Sequence, residues 1–471
     1  GDAGDAAWAG SSGFTAGAGA GGGILITCDT FRGSNGVVAA RGSDGPRLDY
    51  SGAGAGGRIA IVYNQANQAG VSPRPVVRFD VSPGLRGAVT AVDPAISELG
   101  TLWLPDRALL DPALMNHKAQ LIVAGITNWA PDQMVVSNGW IRFPIDGFIL
   151  AVTNDVIVRG TGAKLELGGN LALTNWTWRG VHFPYSEMTN PPRLTCANLY
   201  LTNGGSLAMY GTWTNASNPT WGAMVDVQGR VVLATNSWIL PHCQPTNGGA
   251  VRLKMTDLEI LTPNAGINAD GLGWGGNVDS ADGYGPGRSG GSGNYAAGAG
   301  YGGIGGPSEP GYYHPPGTTY GDSNAPAFPG SSGGAGDTLG YIGNGGRGGG
   351  RVQVEVAGAF LFNGTVTADG TAPRKSIVGT ARGGGGSGGS ILLKTRILRG
   401  TGGKLSADGG SGGNIAYEGG GGGGRIAVAR TSDKSSGITA TVTGGAGYSN
   451  GLAGTVVWID LPGSGSVLLV R

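Results

Sequence analysis

The sequence predicts an all-β protein, an elongated parallel β-helix or β-solenoid with glycine-rich turns and one long ordered excursion rich in glycine and tyrosine. Three observations lead to this prediction. Glycine supplies 98 of 471 residues, while charged residues make up only 13% and apolar residues 39%. Glycine pairs repeatedly precede short runs in which Ile, Val and Leu alternate with other residues, the period of a half-buried strand. The tripeptide Ala-Asp-Gly follows several of these runs at nearly constant spacing, which is typical of a repeated structural unit.

The composition also narrows the function classes. A disordered chain has few apolar and many charged residues, the opposite of this balance. The formal net charge is +1, with no long basic run, so we do not expect a nucleic-acid partner. No apolar run approaches the roughly 18 residues of a membrane helix, so we expect no membrane span. The three cysteines are too sparse for a disulfide framework, and we expect buried free thiols, with a Cys196–Cys243 pair as the alternative.

The first repeated signal is a glycine pair followed by arginine and an alternating strand. It occurs as SGAGAGGRIAIVY at 51–63, NGGRGGGRVQVEV at 344–356 and YEGGGGGGRIAVAR at 417–430. Glycine allows positive φ angles and a close approach of neighbouring backbones, so these pairs are predicted to form stacked corners. We expect the arginines to occupy equivalent positions and to bind turn carboxylates or cap carbonyls. The predicted turn residues of this signal are Gly57, Arg58, Gly350, Arg351, Gly424 and Arg425.

The second signal places an aspartate in a turn after each later strand. The aspartates are Asp270, Asp369 and Asp408, and the spacing from Gly350 to Asp369 equals that from Gly389 to Asp408. Equal spacing indicates that each repeat contributes one strand, a turn, a second strand and another turn. This is the sequence pattern of one solenoid coil.

A longer repeat divides the chain into three sections. When Ile24 is aligned with Ile391, Arg58 falls on Arg425 without a gap. Residues 1–103 therefore correspond to the closing coils of a glycine-rich module, residues 104–245 to a tryptophan-rich β-helical section, and residues 246–471 to a complete glycine-rich module with an excursion at about 285–350. In the middle section VRGTGAKLEL at 158–167 echoes LRGTGGKLSA at 398–407, and 106–118 is the best helix candidate.

The glycine runs do not predict a phosphate-binding loop. Such a loop ends in Lys-Ser/Thr at a helix N-terminus or opens a helix as G-x-G-x-x-G, whereas these runs lead into strands. A β-helical lyase or glycoside hydrolase would need two or three convergent carboxylates, or a Ca²⁺ site with a base. The sequence supplies no such set, so no catalytic residue, cofactor or metal site is assigned. Asp279 and Asp282 are weak Ca²⁺ candidates.

Aromatic residues give the candidates for contact with a ligand or partner. Trp176 and Trp178 lie two apart, on one face of a predicted strand. Aromatic side chains on a flat face can stack on sugar rings, fill a core or bury in a subunit contact. The candidate contact residues for a glycan or an interface are Trp176, Trp178, Trp213, Tyr312 and Tyr313.

The run GGGGSGGSILLKTRILRGTGGKLSADGGSGGNIAYEGGGGGGRIAV at 383–428 resembles a family of large glycine-rich repeat proteins. These are predicted to be secreted or on the cell surface and are found mainly in bacteria. The resemblance covers roughly 1–103 and 246–471. It implies an exported β-solenoid, extracellular or on the cell surface, and supplies no catalytic residues. One departure is Arg41, which stands where the second copy has Asp408, so the aspartates are expected to shape turns.

These observations predict an extracellular structural protein rather than an enzyme. We expect a subunit of a surface filament or layer that stacks head to tail with copies of itself, because both ends carry equivalent stages of one module. The chain begins with Gly1, so a signal peptide is expected to have been removed or to lie outside it. The alternatives are a glycan-binding surface adhesin, with polysaccharide as partner, and a β-helical polysaccharide-degrading enzyme.

Overall fold

A computed structural model confirms the all-β parallel architecture. It describes residues 18–45, 53–85, 97–169, 177–178, 181–182, 188–213, 221–276, 282–292, 295–338, 341–342, 344–373 and 383–463. These residues form two large parallel sheets, of 14 and 12 strands, in which the neighbours follow chain order with few exceptions. Each turn of the chain therefore adds one strand beside the last, and the sheets grow along one axis as in a solenoid.

The first sheet contains the strands Gly23–Cys28, Ser34–Ala39, Arg58–Tyr63, Val76–Asp80, Thr101–Leu104, Lys118–Val123, Trp140–Phe143, Lys164–Leu167, Ser206–Tyr210, Trp238–His242, Gly266–Asn268, Thr365–Thr367, Lys404–Ser406 and Thr439–Thr441. The second sheet contains Asn128–Trp129, Met134–Ser137, Ile149–Ala151, Asp155–Arg159, Arg193–Cys196, Asn198–Thr202, Trp221–Leu233, Ala250–Ile260, Arg351–Phe362, Ser390–Thr401, Arg425–Ser436 and Thr455–Asp460.

A few small elements lie outside these sheets in the described part of the chain. One α-helix, Gln65–Ala69, follows an Asn64 cap, and Pro310–Tyr312 forms a 3₁₀ turn. The two-stranded hairpins pair Thr177–Trp178 with Val181–His182, Gly291–Ser292 with Tyr295–Ala296, and Asp337–Thr338 with Tyr341–Ile342.

The core consists of columns of apolar side chains stacked between the two sheets. Val352, Ile391 and Ile426 are paired in register on successive coils, and each is fully buried. The alternation predicted from sequence therefore points one set of side chains inward on every coil. The buried thiols of Cys196 and Cys243 and the partly buried thiol of Cys28 are all free, as expected.

The echo between 158–167 and 398–407 is one corner built twice. Gly160 and Gly400 adopt φ angles of 102° and 122°, and Gly162 and Gly402 adopt 74° and 69°. In both copies the corner connects a second-sheet strand to a first-sheet strand. Glycine is required here because these angles lie in the left-handed region that other residues rarely adopt.

The helix candidate at 106–118 is wrong. The segment forms separate turns, in which Asp106 and Asp111 each accept the backbone N–H two residues on, at 2.8 and 2.9 Å. Aspartate side chains that bond locally in this way compete with helix formation. Pro112 then prevents a helix from continuing through this region.

The two repeated sequence signals meet in space at the base of glycine-rich arms. We call glycine arms the glycine-rich segments that run from the end of one coil to the glycine pair before the next coil, such as 407–424 and 442–454. The N–H of Gly424 donates to the carbonyl of Ala407 at 2.7 Å and closes one such arm. The same closure joins Gly57 to Ala40, Gly350 to Ala269 and Gly389 to Ala368 at 2.7 Å, and Gly100 to Val81 and Gly454 to Val442 at 2.8 Å.

Within the arms the backbone donates hydrogen bonds in three directions in turn. Successive N–H groups of residues 419–424 donate to the carbonyls of Ala296, Ser449, Gly410, Ala299, Leu452 and Ala407. Every third residue thus returns to the same neighbouring segment, which is the three-residue turn of a polyproline-II helix. Residues 384–389 repeat the pattern, donating to Gly334, Gly419, Thr371, Ser331, Gly422 and Ala368. The segments 384–389 and 419–424 are therefore rods bonded to three neighbours, and the excursion supplies some of these neighbours.

The approach of these rods leaves no room for side chains. A Cβ atom placed on Gly421 would lie 2.0 Å from the carbonyl oxygen of Gly386. One placed on Gly384 would lie 1.6 Å from the carbonyl oxygen of Ala297. Because both obstacles are backbone atoms, neither can rotate away, and the rods themselves would have to separate.

We predict that Gly421→Ala lowers the free energy of unfolding by about 3 kcal/mol or more, because overpacking against fixed backbone forces the rods apart. Urea denaturation of the wild-type chain and the variant measures this. Gly23→Ala is the matched control, since no atom lies within 4 Å of its added Cβ. Equal stability of the two variants would contradict close packing of the arms.

Candidate functional site

Two of the three predicted arginines are buried at the base of the glycine arms. Arg351 and Arg425 lie in one register column of the second sheet, on either side of Ser390, and are 6% and 8% exposed. The Nε of Arg425 donates to the carbonyl of Tyr320 at 3.0 Å, and its guanidinium lies 5.6 Å from the ring centroid of Tyr301. Arg425 therefore caps a carbonyl and clamps the tyrosine-rich excursion to the solenoid.

Arg58 occupies the same position as Arg425 in the pairing of its strand with its two neighbours, but the two side chains differ in environment. It pairs with Gly23 and Thr101, as Arg425 pairs with Ser390 and Thr455. Its strand belongs to the first sheet, however, and its side chain is exposed. The alignment of the two modules thus holds for strand pairing, whereas the buried arginine clamp is confined to the later module.

The three predicted turn aspartates form a ladder where the glycine arms leave the coils. The Oδ1 of Asp270 accepts the backbone N–H of Asp369 at 2.8 Å, and the Oδ1 of Asp369 accepts that of Asp408 at 2.6 Å. The Oδ1 of Asp408 accepts the N–H of Thr443 at 2.6 Å. Each carboxylate therefore ties its own turn to the equivalent turn of the next coil.

The N-terminal coils replace this ladder by an ion pair. The Nε of Arg41, which stands in the place of Asp408, lies 3.0 Å from Oδ2 of the buried Asp80. Burial alone would raise the pKa of Asp80, but hydrogen bonds from Ser82 and the charge of Arg41 outweigh it and lower that pKa. The same position in the coil is thus held by an aspartate ladder in the later module and by an ion pair in the N-terminal coils.

The ladder places like charges close together. Burial raises the pKa of Asp369 to about 6, and the neighbouring carboxylates of Asp270 and Asp408 add to the rise. Burial also raises the pKa of Asp270. The folded protein therefore binds protons at these carboxylates that the unfolded chain has already released at the same pH.

We predict that Asp369→Asn becomes more stable relative to wild type as the pH rises from 4 to 7. The raised native pKa makes the Asp369 contribution to unfolding free energy fall as pH rises through this interval, and an amide cannot lose that proton. Urea denaturation at several pH values measures the difference. Exposed Asp322→Asn is the control, and a wild-type-to-variant difference that does not vary with pH would refute the prediction.

The structure describes the side chains of only some of the aromatic candidates. Trp176 lies outside the described residues, and only the backbone is described for Trp178 and Tyr312. Trp213 is 37% exposed and Tyr313 is 62% exposed. Trp213 and Tyr313 are therefore the candidates that the described part of the chain presents to a ligand or partner.

Of the two weak Ca²⁺ candidates, the structure describes one. Asp279 lies outside the described residues, and Asp282 is exposed. Among the described residues, no group of three His, Cys, Asp or Glu side chains is arranged to hold a metal ion.

A buried charged cluster that sequence reasoning missed lies on the outer face of the first sheet. Arg142 and Glu166 face each other in register, with Nε to Oε2 at 2.6 Å, and each side chain is 4% exposed. Nη1 of Arg142 also lies 3.1 Å from Oε2 of Glu98. The ring of Tyr210 lies 5.7 Å from the Arg142 guanidinium and stacks on His242 at 4.3 Å.

The electrostatics of this cluster favour ion pairing over proton transfer. Burial raises the pKa of Glu98 and lowers that of His242 to about 4. Burial also opposes the charge on Arg142, but Glu166 and Glu98 outweigh it and raise the pKa of Arg142. Two carboxylates therefore share one guanidinium. The residues of this cluster are scattered in sequence, and no spacing signal marks them.

We predict that Arg142→Met lowers the free energy of unfolding by about 3–5 kcal/mol, because it leaves Glu166 charged, buried and unpaired. The double variant Arg142→Met/Glu166→Leu should recover much of this loss by removing the stranded charge. A double-mutant cycle in urea measures both. Equal losses in the single and double variants would show that the pair contributes packing only.

The end coils leave both sheets open along the solenoid axis. Within the described residues, strand Gly23–Cys28 pairs on one side only, with Arg58–Tyr63. Strand Thr455–Asp460 likewise pairs only with Arg425–Ser436. Their inward residues Ile24, Ile26 and Val456 pack against the core while remaining partly exposed.

No known protein family, curated protein or solved structure matches this sequence. The helices in the described part of the chain are too short and polar to cross a membrane.

Proposed function

We propose that this protein is an extracellular structural subunit that stacks head to tail with copies of itself into a surface filament or layer. The observation that supports the proposal is that, among the described residues, the strands Gly23–Cys28 and Thr455–Asp460 at opposite ends of the solenoid each pair on one side only. An unpaired strand edge presents a row of N–H and C=O groups that another strand can extend. Contacts between unlike ends do not close on themselves and therefore propagate.

The side chains at both ends favour continuation. Leu25 is 71% exposed and Trp458 is 38% exposed, beside the half-exposed inward residues of the end coils. Stacking would bury these side chains and extend the core columns by one coil at each junction.

The glycine arms and the buried contact of Arg425 with the excursion favour a structural role over a catalytic one. They tie remote segments by backbone hydrogen bonds, and such bonds need no flexible side chains. The extracellular location rests on the resemblance to secreted glycine-rich repeat proteins.

The proposal is tested by blocking one edge without disturbing the coil behind it. The N–H groups of a strand alternate between its two edges, and the N–H of Arg58 donates to the carbonyl of Gly22. The N–H of Leu25 therefore points to the open edge, and proline there removes an edge donor while sparing the internal ladder.

We predict that the wild-type protein forms fibres of regular axial repeat in negative-stain electron microscopy as concentration rises, and that Leu25→Pro forms only short rods. Leu25→Thr is the control, because it keeps the N–H and the strand geometry. Circular dichroism checks that the proline variant stays folded. Short monodisperse rods for the wild-type chain at every concentration would overturn the proposal.

A further inference from the structure

A groove with an apolar floor and a charged rim lies beside the turns at 106–113. Its volume is about 440 Å³, within the range of sites that hold small ligands. Its floor is made of buried Leu110, Trp129 and Pro131 with Pro112 and Ala113 beside them, and its rim of Arg74, Arg107, Asp132 and Gln133.

The rim carries positive charge that the protein itself compensates only in part. Arg107 is exposed, lies 6.0 Å from the ring centroid of Trp129 and forms no ion pair with any described residue. Nη1 of Arg74 donates to the carbonyl of Leu110 at 3.2 Å and lies 3.8 Å from Oδ1 of Asp111. Both members of that pair are about half exposed, so it contributes little and leaves the Arg74 guanidinium available to an anion.

We propose that this groove binds a carboxylate-bearing sugar, a uronic acid residue of an acidic polysaccharide. A guanidinium matches the planar geometry of a carboxylate and binds it through two parallel hydrogen bonds. Asp132 and Gln133, on the same rim, provide an acceptor and an amide for sugar hydroxyl groups. The apolar floor offers a surface for the C–H face of the ring.

The combination of groups separates this ligand from other anions and from neutral sugars. A phosphate chain has no hydroxyl groups to donate to Asp132, which would repel it. A neutral sugar would cover Arg107 without supplying a counter-ion, which costs free energy because the desolvated charge loses water and gains no partner. A uronic acid supplies both a carboxylate for the rim arginines and hydroxyl groups for Asp132 and Gln133. The inference is independent of the proposed stacking, because the groove involves neither end strand.

The experiment compares binding of an oligogalacturonide with that of its methyl ester by isothermal titration calorimetry on the full chain. The ester has the same ring skeleton and hydroxyl groups but no charge. We expect the acid to bind at least tenfold more tightly than the ester at low salt. We also expect Arg107→Met to weaken binding of the acid at least tenfold without weakening binding of the ester, since the uncharged side chain removes the desolvation cost that the ester meets in the wild-type groove.

A second arginine variant and a check of the fold serve as controls. Arg230→Met removes an exposed arginine elsewhere on the solenoid and should bind the acid like wild type. Near-ultraviolet circular dichroism verifies that the Trp129 environment survives Arg107→Met. Equal affinity for acid and ester, an unchanged affinity in Arg107→Met, or equal binding of poly-glutamate or polyphosphate would each overturn the proposal.

Discussion

The close contact of glycine backbones in the arms is the constraint on which much of the remaining structure depends. Rods that donate hydrogen bonds in three directions can approach this closely only where the facing Cα atoms carry no side chain, as at Gly384 and Gly421. This explains why glycine predominates in the rods at 384–389 and 419–424. The arms fix where each coil begins and ends, since Gly424 meets Ala407 at the base of one arm and Gly389 meets Ala368 at the base of another. The strands between these bases then have little freedom in register.

Side chains on the outer face of the second sheet reinforce that register. Asp226, Lys254, Glu355 and Lys394 occupy one column on successive coils and alternate in charge. Opposite charges on neighbouring strands stabilise a pairing, and a slip of one residue would turn these groups into the core. These four charges therefore oppose a shifted register, because a shift would separate opposite charges and bury them.

The fold was predictable from local sequence repeats. Features that depend on contacts between segments distant in sequence were not predicted. The spacing between a glycine pair and Asp369 or Asp408 correctly indicated the two strands of one coil. The backbone bonds that close each arm then join the aspartate turn of one coil to the glycine pair of the next. The burial of Arg425 could not be predicted, since Tyr301 and Tyr320, which cover it, belong to an excursion remote in sequence. The Arg142–Glu166 pair was missed for the same reason: strand pairing alone brings the two residues together.

The two kinds of open surface on this molecule make different physical demands. The end strands offer unpaired backbone and half-buried Ile24 and Val456, which a matching solenoid edge satisfies with no special side-chain chemistry. The groove beside Arg107 offers charge and a rigid apolar floor, which suits a small polar ligand and gives no edge to extend. A filament built through the ends would repeat the groove once per subunit. An acidic polysaccharide could then engage many weak sites along one rod, and its retention would grow with filament length through effective concentration rather than through affinity at any single groove.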